Sequence, residues 1–190
     1  MKRIVIFASG SGTNAENIIQ FFNHTKTAKV TMVLSNNKYA KVFFRCKKLN
    51  TNCLHFKKEN FFGSEKVLNL LKENADYIVL AGFLWKIPLN IIASFPNKII
   101  NIHPALLPKY GGKGMYGMHV HKAVKENNET ETGITIHYVN ENYDEGTIIF
   151  QKKTTISDED TLETIAEKIY VLEQRYFPRV IEDVILETND

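Results

Sequence analysis

Short uninterrupted apolar runs recur along this chain, each followed by a segment of helical periodicity. Arg3 to Ser9, Lys29 to Ser35, Tyr77 to Ala81 and Ile99 to Ile102 are such runs. A strand that is apolar at successive positions must be covered on both faces, which is the condition of a parallel sheet between helical layers. Between the runs, Ile18, Ile19, Phe21 and Phe22 stand at helical spacing, as do Val67, Leu68, Leu70 and Leu71. Val42-Phe43-Phe44 opens another helix ending near Leu49-Asn50, Cys53-Leu54 reads as a brief strand, and Pro88 starts a short helix. The pattern then changes. Ile134 to Val139 alternates, and Thr147 to Lys152 follows Asp144-Glu145-Gly146, which predicts a hairpin added to the sheet. Asp160 to Val184 predicts one long helix, capped by Asp160 with Glu163 three residues on, and kinked at Pro178. The expected fold is α/β: a Rossmann-like, mostly parallel sheet with helices on both faces, a C-terminal hairpin and a long terminal helix. With 190 residues, no internal repeat and no linker, the chain is expected to be a single domain, residues 1–190.

The first loop carries chemistry. Gly10-x-Gly12-x-x-Ala15 follows a strand and opens a helix, so backbone N–H groups and a helix dipole face whatever lies in front of it. Thr13 adds a hydroxyl and Asn14 an amide. A dinucleotide would want an acidic residue at the end of the second strand, where this chain has Ser35-Asn36-Asn37. A simple phosphate fits better, and a tight turn that binds nothing is the plain structural alternative. Between Glu16 and Glu59 there is no acid but nine basic residues, either a solvated edge or a field for an anionic ligand. The net charge, +3, is too mild to imply nucleic acid. No stretch is long and apolar enough to span a membrane, and two cysteines seven apart make neither a disulfide scaffold nor a zinc site. A soluble, cytoplasmic, reduced protein without a metal is expected.

Asn101-Ile102-His103-Pro104 stands at the C-terminal end of the fourth run, the edge where open α/β sheets hold ligands. Residues two apart on a strand point the same way, so Asn101 and His103 should reach one side of the crevice. An amide can donate to a developing oxyanion, and a histidine can give or take a proton. A polar strand end holding its own loop would read the same.

Asn101-Ile-His-Pro-Ala-Leu-Leu-Pro-Lys-Tyr110 resembles the signature of the folate-dependent formyltransferases. Three further segments resemble that family in order: Ser9 to Asn14 its phosphate loop, Leu80-Ala-Gly-Phe83 a strand end before the folate, and Gly133 to Val139 with Asp144-Glu-Gly146 a second catalytic block. The likeness covers nearly the whole chain and is strongest to the branch acting in purine biosynthesis.

The resemblance implies transfer of a formyl group from the cosubstrate 10-formyltetrahydrofolate to the amine of glycinamide ribonucleotide, with no metal. It implies catalytic roles for Asn101, His103 and Asp144, with Asp144 raising the pKa of His103. Gly12, Thr13, Asn14 and Glu173 would hold the ribonucleotide, and Leu84, Trp85, Lys86, Ile87, Asn101, Asn140 and Asp144 the folate. Residues 1–100 would form the phosphate-binding half and 101–190 the folate-binding and catalytic half. Leu84-Trp85-Lys86-Ile87 departs from the family's usual Met-Arg-Ile-Leu, and Lys57 or Lys58 is the nearest substitute for a folate-tail Arg. Gly111 to Gly117 is longer and richer in glycine than the usual link, as either a lid or a plain surface loop. His119 and His121 stand ahead of a helix at Lys122 to Lys125, where either reads as a cap or surface residue; the resemblance sets His119 near the site, and His137 is expected as a core histidine. The partners are small molecules; nucleic acid and membranes are not expected, and the protein would be a monomer or homodimer. A formyl-tRNA transferase normally has a further C-terminal domain, for which a chain ending on its last helix leaves no room. A sugar-nucleotide formyltransferase and a non-catalytic phosphate-binding module are the remaining alternatives.

Overall fold

The computed structural model describes residues 1–187; residues 188–190, the end of the expected domain, lie outside the described residues. The chain runs β1 (Lys2–Phe7), α1 (Thr13–Thr25), β2 (Ala28–Ser35), α2 (Val42–Lys48), β3 (Asn52–His55), α3 (Lys58–Phe62), α4 (Lys66–Asn74), β4 (Tyr77–Leu80), α5 (Leu89–Ser94) and β5 (Ile99–His103). It continues with α6 (Met118–Glu126), β6 (Glu131–Tyr138), β7 (Ile148–Thr155) and α7 (Leu162–Glu187). The strands form one sheet in the order β3-β2-β1-β4-β5-β6-β7. The first five are parallel, and β6 and β7 add on as an antiparallel hairpin. The expected α/β fold with its hairpin and long last helix is what the chain adopts.

Successive residues of β1 serve opposite layers, as the pleat requires. Ile4, Ile6 and Ala8 pack with Ile18, Phe22, Ile169 and Phe177 under α1 and α7. Val5 and Phe7 pack with Leu68, Leu71, Ile91 and Phe61 under the other helices. Both faces of the strand are thus buried, which is why its sequence shows no polar alternation.

Several boundaries differ from expectation. The five-residue α3 has no readable period, and α6 begins at Met118, so His119 and His121 lie inside a helix rather than ahead of one. Pro88 sits one residue before α5, as its N-cap. At α7 the hydroxyl of Thr161 accepts the Thr164 N–H (3.3 Å). Asp160 instead accepts from the Ser157 N–H and the Thr164 hydroxyl and pairs with Lys168, tying the preceding loop to the helix.

Pro178 lies within α7 without ending it. A proline there removes the N–H that would bond the carbonyl four residues back, at Gln174. The side-chain amide of Asn17 donates to that carbonyl (2.8 Å), so the vacated acceptor becomes an anchor for α1. Gln174 Nε2 donates in turn to Asn14 Oδ1, and Asn14 Nδ2 to Glu173 Oε2, both at 2.8 Å.

Candidate active site

In the parallel part of the sheet, β1 connects to β2 on one side while β4 lies on its other side, and a crevice opens above the strand ends at such a switch of direction. A cavity of about 680 Å³ occupies it. Its walls come from the loop after β1, the Gly82–Leu84 turn after β4, the end of β5, the Gly112–Gly117 loop and one face of α7.

The β1 loop ends on Gly12, whose φ of 74° lies in the left-handed region. A Cβ there would collide with Val42, the first residue of α2, so only glycine closes this turn. No side chain caps the helix behind it. The first N–H groups of α1 therefore face the cavity beside Thr13 and Asn14, a setting suited to an anion.

Asn101 and His103 both face the cavity from β5, as their spacing predicts. The sheet register sets His137 of β6 opposite Asn101, with Asn101 Nδ2 3.0 Å from His137 Nε2. His137 Nδ1 lies 2.8 Å from the Tyr138 carbonyl, which can only accept. In the neutral ring Nδ1 therefore holds the proton and Nε2 accepts from Asn101, which fixes the orientation of that amide. One Asn101 N–H remains for a ligand. His137 is only 2% exposed, so the core reading holds, but its partners belong to the site.

His103 is 3% exposed. Its Nε2 lies 2.7 Å from the Tyr110 carbonyl, presented by a left-handed backbone at Tyr110 (φ 58°). Nε2 thus holds a proton, and Nδ1 is the nitrogen free to exchange one; it faces Asp144 Oδ2 at 3.6 Å. Thr135, opposite His103 in the register, accepts the Leu107 N–H (3.0 Å) and donates to the Ala105 carbonyl (2.7 Å), bracing the loop that follows. Asp144 also has a positive φ (57°), accepts the Gly112 N–H (2.9 Å) and stands 3.7 Å from His137 Nε2.

The electrostatics revise one expectation. Burial lowers the His103 pKa below its ordinary value. Asp144 and the Tyr110 carbonyl pull it up and His137 pulls it down, and burial outweighs the upward pull. Asp144 does favour the charged ring, yet the net shift is downward rather than upward. Burial also pushes the Asp144 carboxyl up, but His137, His103 and the Gly112 N–H bring it below the usual carboxylate range. On α7, burial pushes the Glu173 carboxyl up to about 7, the Asn14 amide acting in the opposite direction.

Of the positions suggested for folate, Leu84, Asn101 and Asp144 line the cavity. The Leu84 N–H donates to Ser9 Oγ (3.1 Å), joining the turn after β4 to the loop after β1. Trp85 belongs to an aromatic cluster with Phe56, Phe61, Phe62 and Phe83. Ile87 is core, Lys86 lies over the Tyr143 ring, and Asn140 Oδ1 holds its own loop through the Asn142 N–H. Lys57 and Lys58 are exposed. His119 is exposed against Tyr116, and of the two α6 histidines it is His121 that lines the cavity. His121, expected as a cap or surface residue, is instead buried at the cavity, and Thr135, which the sequence did not single out, is placed by the register of β5 and β6. Among the described residues no group of three His, Cys, Asp or Glu could hold a metal ion.

The family model described as formyl transferase matches residues 2–181. The chain belongs to the formyl transferase family. The phosphoribosylglycinamide formyltransferase of Bacillus subtilis is 33% identical over 191 residues, covering 97% of this chain and 95% of that protein. The chloroplastic phosphoribosylglycinamide formyltransferase of Arabidopsis thaliana is 36% identical over 194 residues, or 95% of this chain; the chain spans 64% of that protein's length. The crystal structure of phosphoribosylglycinamide formyltransferase from Bacillus halodurans superposes with a TM-score of 0.86 at 35% identity, covering 98% of this chain and 97% of that one.

Proposed function

We propose that this formyl transferase moves the formyl group of 10-formyltetrahydrofolate to the amine of glycinamide ribonucleotide, giving formylglycinamide ribonucleotide and tetrahydrofolate. The observation that carries the reading is the sharing of one cavity by an uncapped helix N-terminus, Glu173, and the Asn101, His103 and Asp144 group.

The amine attacks the formyl carbon and a tetrahedral intermediate forms. The remaining Asn101 N–H donates to the oxygen that gains charge. His103 begins neutral, because burial disfavours its charged form. It accepts the amine proton at Nδ1, and the nearby Asp144 carboxylate holds the imidazolium. His103 then returns the proton to the departing folate nitrogen as the carbon–nitrogen bond breaks. The new amide bond replaces the old one, and one proton passes from amine to folate. The phosphate would lie on Gly12, Thr13 and Asn14, and Glu173 would face the sugar and amine. Leu84 to Ile87 and Asn140 to Asp144 would border the folate pterin.

In this reading residues 1–100 hold the phosphate and 101–190 supply the chemistry, Glu173 reaching back across the cavity. Every residue assigned here comes from one chain, so a monomer or a homodimer serves. Among the described residues no helix is long and apolar enough to cross a membrane. We place the reaction in the cytoplasm, where Cys46 and Cys53 remain free thiols.

The test is tetrahydrofolate release, with and without the ribonucleotide, beside His103→Ala. Release that requires the ribonucleotide and is lost in the variant supports the reading. Release without it would indicate hydrolysis, and saturable folate binding with no release would indicate another acceptor amine.

A further inference from the structure

His121 is the buried titratable group that the chemistry above leaves unused. It is 5% exposed and lies in the first turn of α6. Its Nδ1 is sealed from solvent and has no partner. Its Nε2 also has no hydrogen-bond partner among the described residues, but is not among the sealed atoms, and the residue lines the main cavity. Of the two ring nitrogens, Nε2 is therefore the one open to the cavity. A buried N–H without an acceptor is rarer than a buried acceptor without a donor, so Nδ1 is bare and Nε2 holds the proton. Burial also lowers the His121 pKa, which keeps the ring neutral. The side chain thus presents one N–H donor to the cavity and no acceptor.

The neighbours indicate what it meets. Asn14 bonds Glu173, Asn17 bonds Gln174 and Thr27 bonds Glu182, so α1 runs along α7 in the same direction. The space in front of the α1 N-terminus is then flanked by the α7 residues preceding Glu173. Ala166, Ile169 and Tyr170 are those residues, and they line the cavity together with His121. Only Tyr170 among those three carries a polar group. An acceptor-rich group at the uncapped N-terminus would find its outer donor in His121.

We propose that His121 Nε2–H donates to a phosphate oxygen of the acceptor substrate, as a binding residue opposite the Gly12–Asn14 loop. This rests on the ribonucleotide reading for the substrate, but its phosphate chemistry can be measured without that substrate.

Two variants and two readouts form the test. His121→Phe keeps the volume and removes the donor, and His121→Gln restores one. A hydrogen bond to a charged group is typically worth about tenfold or more in affinity. In His121→Phe the KM for the ribonucleotide should rise about tenfold, with the loss in KM rather than kcat and with the folate KM unmoved. His121→Gln should recover much of it. Inorganic phosphate should raise the melting temperature of the parent protein and do so far less in His121→Phe. Because that shift is a difference within each variant, altered basal stability does not mimic it. If the phenylalanine variant does not fold, His121→Met carries the same comparison. A ribonucleotide KM and a phosphate shift that both stay near the parent's would overturn the proposal. A loss confined to the folate KM would do the same. Should the parent fail to formylate the ribonucleotide, yet phosphate stabilise it in a His121-dependent way, the substrate reading falls and the phosphate contact stands.

Discussion

His103 shows how a neighbouring carboxylate and burial compete at a single ring. Asp144 favours the imidazolium, burial opposes it, and burial prevails. A base that must be neutral loses activity as pH falls through its pKa. The acidic limb of kcat/KM is therefore expected below 6.5, the ordinary histidine value. In Asp144→Asn the upward pull is gone, so that limb should move to still lower pH while kcat falls about 10²-fold or more; a limb that moves upward would contradict the assignment. Asn101→Ala should cost about 10²–10³ in kcat, as loss of one oxyanion donor does elsewhere. Burial pushes the Glu173 carboxyl up to about 7. If its charged form holds the ribonucleotide, kcat/KM for that substrate gains a second limb near 7, rising with pH, and Glu173→Gln removes it. The residues Asn101, His103, Asp144 and Glu173 were readable because a polar group at a strand end, or one matching a family motif, is conspicuous. The direction of the His103 shift was not readable, since burial is a property of the packed site.

Among the elements, the parallel strands were readable because burial on both faces leaves continuous apolar runs. The five-residue α3 was not, because one helical turn has no period, and α6 was entered late because its first turn holds two histidines. The pairing of His137 with Asn101 needs the register of β5 and β6, which separate stretches of sequence do not reveal. Pro178 was conspicuous in the sequence as a break in the helical bonding, but the partner of its vacated Gln174 carbonyl, Asn17, was not. Asn17→Ala should therefore destabilise the fold by about 1–2 kcal/mol, read from urea unfolding. In a Pro178→Ala background the restored N–H can satisfy Gln174, so the same change should cost less. Equal costs in both backgrounds would mean that Asn17 acts otherwise.

Across the whole molecule, the sheet order places the loop after β1, the turn after β4 and the end of β5 around one crevice, and α7 returns to close its side. Two separate cores below it hold those edges in register. The site also affects global stability. The folded-state pKa of Glu173, about 7, lies above its ordinary 4.5. Between those values the native state binds more protons than the unfolded one, so this contribution to stability falls as pH rises from 4.5 to about 7. Urea midpoints of Glu173→Gln should show less of that decline than those of the parent. The reaction itself is followed by supplying 10-formyltetrahydrofolate labelled with carbon-13 in the formyl group, together with glycinamide ribonucleotide, and observing the label by NMR. The label should move to the ribonucleotide as a formamide, in step with tetrahydrofolate, and should stay on the folate with His103→Ala. Label appearing as free formate, or remaining on the folate with the parent protein, would contradict formyl transfer to this amine.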